Sequence, residues 1–133
     1  MFTRIVVPVD LDQPGPAEKA IAVARHIARQ ADPPAPITVV SIQPVVIDED
    51  GTPPPDYRPR LDAFLAKQGG PGEIDGILRL GGSISTEIRA TAEEVGADLI
   101  VMASHAPHFT DYLIGSNAAH VALHAPCSVL VVR

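Results

Sequence analysis

The chain has 133 residues, 46% of them apolar, which is enough for one domain with a core. Aromatic residues make up 4%, and the formal net charge is −6, from 16 acidic and 10 basic residues with no basic run. That balance argues against nucleic-acid binding, and no apolar run approaches the roughly 18 residues of a membrane span.

The start, Met1-Phe2-Thr3-Arg4-Ile5, leads straight into a strand without a signal-peptide pattern. The single cysteine excludes an internal disulfide, and the expected compartment is the cytoplasm. Ile5 to Val9 reads as the first strand, ending at Asp10, with Pro8 withholding one ladder donor near its carboxyl end. From Pro16 to about Arg29, apolar residues at 20, 21, 24, 27 and 28 follow a helical period. Ile37 to Ile42 is the second strand. A Pro-rich, acidic stretch, Gln43 to Pro59, then reads as a long mobile loop with no assigned role. Arg60 to about Gln68 offers a short helix with Leu61, Phe64 and Leu65 on one face, stopped by Gly69-Gly70-Pro71-Gly72.

Ile74 to Leu80 is a third strand, less apolar and so nearer an edge. Ser83 caps a helix running to Val95 with Ile84, Ile88 and Ala92 inward, and Gly96 ends it. Ala97 to Met102 is a nearly continuous apolar run, the pattern of a strand buried on both faces. Gly115-Ser116-Asn117 opens a helix to about Leu123, and Cys127 to Val132 closes the chain as a second buried strand, with Cys127 expected as a buried, inert thiol.

Strand and helix alternate throughout, which argues for a parallel sheet wrapped by helices on both sides. Ligands in such folds bind beyond the carboxyl ends of the strands, where strand order reverses. With the first strand central, that crevice falls between strands one and four and makes Asp10 a neighbour of Ala103 and Ser104. A small-residue loop feeding a helix start supplies free N–H groups and the positive end of a helix dipole. The segment from 98 to 133 therefore points to a nucleotide or another phosphate ligand.

Four segments together resemble the universal stress protein family, over essentially the whole chain: Ile5-Val6-Val7-Pro8-Val9-Asp10, Gly96 through His105, Leu113-Ile114-Gly115-Ser116, and His124 through Val132. The resemblance implies a single domain over 1–133. Its fold is a Rossmann-like adenine nucleotide alpha hydrolase-like α/β fold, an open five-stranded parallel sheet of order 3-2-1-4-5 with four helices. It also implies a homodimer through the last strand; the composition already argues against nucleic-acid and membrane partners. Many members bind ATP through Gly, two residues, Gly, nine residues, Gly, then Ser or Thr. Here the first two glycine positions hold Ala103 and Ala106, and eight residues separate Ala106 from Gly115. Only Gly115-Ser116 matches as it stands. Alanine limits both φ > 0 and close approach of backbone to phosphate. The loop is similar to that of the F-type and G-type stress proteins of enteric bacteria, some of which bind adenine nucleotides. Ala106 stands where their loop has arginine, which should weaken triphosphate more than monophosphate binding.

Carried over residue by residue, the resemblance implies contact of Asp10 with the nucleoside and of the Ile42 backbone with the adenine. Pro8 and Val9 shape the pocket wall. Ser116 and Asn117 are the phosphate candidates, with Ala103, Ser104 and Gly115 in the surrounding loop and Ser128 on the last strand. His105 faces phosphate or solvent. Asp10 also suits a loop-capping role, and a helix cap is enough to explain Ser83, with a ligand near that helix start as the secondary reading. His120 and His124 have metal-ligand spacing but no third ligand, so no metal and no catalytic residue is expected. The leading expectation is a dimeric stress-response or regulatory module for ATP or AMP, with Mg²⁺ only as the nucleotide's companion. The alternatives are a stress protein working through its dimer surface without nucleotide, and a slow ATP hydrolase, which the absence of a Walker lysine disfavours.

Overall fold

The computed structural model describes residues 2–43, 49–52, 55–69, 74–104 and 115–133. Among these the chain alternates β1 (Ile5–Val9), α1 (Gly15–Ala28), β2 (Ile37–Gln43), α2 (Arg58–Lys67), β3 (Ile74–Leu80), α3 (Ile84–Val95), β4 (Leu99–Ala103), α4 (Ser116–His124) and β5 (Ser128–Val132). The strands form one parallel sheet in the order β3-β2-β1-β4-β5, as the family resemblance implies. The less apolar β3 is indeed an edge strand, and β5 is the other.

Side chains alternate across the sheet, and both faces are covered. Ile5, Val7, Val9, Val39 and Val101 bury against Ala20, Ile21 and Ala24 of α1 and Leu61 and Phe64 of α2. Val6, Val40, Ile100 and Met102 bury against Ile88 and Ala92 of α3 and Ala118 and Val121 of α4. The central strands β1 and β4 are thus apolar at nearly every position because neither face meets water.

Helix ends follow local chemistry. Ser83 is the N-cap of α3, its hydroxyl accepting from the Thr86 N–H at 3.4 Å, and Gly96 closes the helix at φ 69°, in the left-handed region. Helix α2 begins at Arg58, two residues before the expected start, because Pro59 falls in its first turn, where no N–H is needed. Three burial expectations are corrected: β5, read as a buried strand, is half-buried to exposed along its length because it lies at the sheet edge. Ile84 is 44% exposed, because it sits at the mouth of α3 beyond the sheet, and Cys127 is only half-buried, because it precedes the edge strand β5.

Candidate functional site

The crevice originates in a strand ladder that stops early. β1 pairs with β2 over five positions, Ile5 to Val9, but with β4 only at Ile5↔Leu99 and Val6↔Ile100. The Ile5 N–H donates to Pro36 O beside β2, and the Arg4 carbonyl accepts from Asp98 N on the β4 side. Backbone groups alternate sides along a strand, so the groups of Val6 and of position 8 face β4. Position 8 is proline and has no N–H to give, so the ladder ends there and the two strands part.

A cavity of about 410 Å³ lies at this parting, a size suited to a small molecule. Pro8, Val9 and Asp10 line it from β1, Ser41, Ile42 and Gln43 from β2, and Met102 and Ala103 from β4. The start of α4 closes it with Gly115, Ser116, Asn117 and Ala118.

Gly115 is the N-cap of α4, with no side-chain cap, so Ser116 stands inside the helix rather than capping it. The Gly115 N–H is bonded to Ser104 Oγ at 3.1 Å. The first-turn amides that follow, on Ser116, Asn117 and Ala118, have no acceptor within their own helix. Three of the α4 residues at the cavity are therefore donors at the positive end of a helix dipole. Across the cavity, Asp10 combines two roles. Its Oδ1 accepts from the Asp12 N–H at 2.9 Å, and its carbonyl accepts from Gln13 N at 3.1 Å, so it shapes the turn after β1 while lining the cavity. The arrangement offers N–H donors and a dipole for an anion at one end, and a carboxylate acceptor with apolar walls at the other.

Of the residues singled out in the sequence, Pro8, Val9, Asp10, Ile42, Ala103, Gly115, Ser116 and Asn117 meet at this cavity. Ser104 is not on its wall. It joins the end of β4 to the start of α4, its N–H donating to Val132 O at 2.9 Å and its hydroxyl accepting from Gly115. Ser128 is a correction: it is the first residue of β5, in register with Leu99, so it lies at the amino ends of the strands, away from the cavity. His105 and Ala106 fall outside the described residues.

The sequence reading missed Leu11, Asp12, Ser41, Gln43, Tyr57, Ile84, Ile88 and Met102, all on the wall. Ser41 and Gln43 are the polar interruptions at the end of an apolar strand, a signal that was legible. Tyr57 was not, because it lies within the Pro-rich stretch, whose path nothing in the local pattern fixes. Among the described residues no group of three or more His, Cys, Asp or Glu is placed to hold a metal ion. His120 and His124 stack with ring centroids 6.3 Å apart. Among the described residues no helix is long and apolar enough to cross a membrane.

Comparison with known proteins bears on this geometry. The profile described as Universal stress protein family matches residues 1–133. Universal stress protein G of Shigella flexneri is 48% identical over 52 residues, a stretch that is 39% of this chain and only 37% of that protein. A universal stress protein structure from Archaeoglobus fulgidus superposes with a TM-score of 0.74 at 26% identity, covering 100% of both chains. An Archaeoglobus fulgidus universal stress protein in complex with dAMP matches with a TM-score of 0.69 at 26% identity, covering 98% of each chain. With a family match over all of 1–133, and the same fold at full coverage, this chain belongs to the universal stress protein family.

Proposed function

We propose that the crevice binds an adenine nucleotide, ATP or AMP, and that the chain is a single-domain cytoplasmic module whose partner contacts respond to occupancy in the stress response. The observation that carries this reading is the shared cavity of Asp10 and the α4 amino terminus. A carboxylate can accept from an adenine amino group or a ribose hydroxyl, and first-turn amides suit phosphate. The dAMP complex of the A. fulgidus relative supports the ligand class. Ala103 and Ala106 in place of glycine, with no arginine at 106, favour monophosphate over triphosphate. Mg²⁺ enters only with the phosphates of ATP.

Calorimetric titration of nucleotide-stripped protein with ATP, ADP and AMP, with and without Mg²⁺, tests this. Saturable binding that weakens at least tenfold in Asp10→Ala is expected. No heat at millimolar nucleotide would overturn the reading. A second reading, a stress protein without a nucleotide site that works through its dimer surface, is favoured by the same two alanines, and it predicts that null titration. Slow ATP hydrolysis ranks last, and phosphate release that persists in Asp10→Ala and Gly115→Val would mark a contaminant.

We also propose a homodimer through β5. The strand is a sheet edge, and Leu130 on it is 37% exposed. Val132 O faces β4, so the N–H groups of Val129 and Val131 point away from the sheet and are open to a second copy.

A further inference from the structure

We propose that Tyr57 is the aromatic wall against which the base of the bound nucleotide packs, held in place by Arg60; the proposal rests on the nucleotide reading of this cavity and deepens it. Among the described residues Tyr57 is the one aromatic side chain on the cavity wall. It immediately precedes α2, at the end of the long Pro-rich connection from β2. One guanidinium fixes it. The Arg60 Cζ lies 4.7 Å from the Tyr57 ring centroid, a cation–π distance. The same group donates from Nη1 to Asp12 Oδ1 at 2.9 Å and from Nη2 to the Leu11 carbonyl at 2.7 Å. Arg60 thus ties the ring to the turn that carries Asp10.

The described residues just before Tyr57 are held too. The Gln43 carboxamide donates to the Pro55 carbonyl, and Asp56 Oδ1 accepts from the Arg58 N–H at 2.9 Å. A ring ordered before binding costs little to order on binding.

Its position suits a base. Pro55, two residues before Tyr57, is bonded to Gln43 at the end of β2, whereas α4 follows β4 and packs on the opposite face of the sheet from α2. The strands β2 and β4 are two spacings apart, a lateral offset of about 10 Å in the plane of the sheet, which is within the reach of a nucleoside monophosphate from phosphate to base. The ligand class is therefore a nucleotide with a flat heteroaromatic base. Arg60 is a positioning residue that acts through Tyr57.

The chain has no tryptophan and two tyrosines, so Tyr112→Phe leaves Tyr57 as the sole tyrosine emitter. In that variant, AMP should quench the emission saturably, at the Kd that calorimetry gives. Tyr57→Ala should raise the Kd for AMP about tenfold and Tyr57→Phe should not. Arg60→Met should weaken AMP binding and blunt the quench, with Arg60→Lys restoring part of both. AMP binding by calorimetry with unmoved emission, or a Kd within twofold in Tyr57→Ala, would overturn the proposal and leave the nucleotide reading standing. No AMP binding by the unaltered protein would overturn both. Should Tyr57→Ala fail to fold, the quench in Tyr112→Phe decides.

Discussion

The Asp98 carboxylate sits at the amino end of the sheet and accepts from the Thr3 N–H at 2.8 Å, the Thr3 hydroxyl at 3.0 Å and the Arg4 N–H at 3.0 Å. These bonds pin the entry of β1 to that of β4. Partial burial pushes its pKa up, but the bonds from Arg4 and Thr3 together outweigh this and hold it below the ordinary carboxylate value. The folded state thus favours the ionised form. Its contribution is complete above the unfolded pKa of roughly 4 and is lost as pH falls through the lower folded value. Asp98→Ala should cost about 1–2 kcal/mol at pH 7. In urea unfolding, the gap to the unaltered protein should narrow below about pH 4; a gap independent of pH would refute the carboxylate's role. Burial, and then the charge of Asp98, push the Cys127 thiol up, which disfavours a reactive thiolate.

At the scale of elements, the two helices on one face end and begin by different means. Gly96 closes α3 at φ 69° with nothing within 4 Å of a built Cβ, so only backbone conformation opposes a side chain there. Gly96→Ala should cost about 1 kcal/mol of stability by thermal unfolding, and no loss would mean that the turn relaxes freely. Helix α4 begins without a side-chain cap, and its first turn carries no acidic residue. Asn117→Asp would add a carboxylate where the dipole favours one. It should stabilise the fold by about 0.3–1 kcal/mol while repelling phosphate. A raised Tm together with AMP binding weakened at least tenfold is the expected pair of results. Raised Tm with unchanged binding would place the phosphate elsewhere.

At the scale of the whole molecule, the same strand order that buries β1 and β4 leaves β3 and β5 as edges. Nothing in α1 covers Leu130 to the degree it covers Val101, which is 0% exposed. Leu130→Lys puts a charge on the β5 edge, a substitution that discourages edge pairing. The protein should run as a dimer by light scattering and the variant as a monomer with unchanged fold by circular dichroism. A monomeric unaltered protein would end the proposal of a β5 dimer.

Element type and order were legible because both-face burial writes itself as apolar runs at 5–9, 37–42 and 99–102, separated by helical periods. The site was legible in part for a related reason. Asp10, Ala103 and Gly115-Ser116-Asn117 stand where apolar strands end or a helix begins, and in a parallel sheet those places are all on one side. What the sequence did not determine was which distant segments complete the wall. Tyr57 reaches the cavity only because Arg60 ties α2 to Leu11 and Asp12, contacts spanning 48 and 49 residues. Ser128, beside an apolar strand in sequence, falls at its wrong end in space because register with Leu99 fixes direction. Burial periodicity is a local property of the chain. Wall membership depends on strand register, on the early end of the β1–β4 ladder and on long-range side-chain clamps, and those exist only once the sheet has formed.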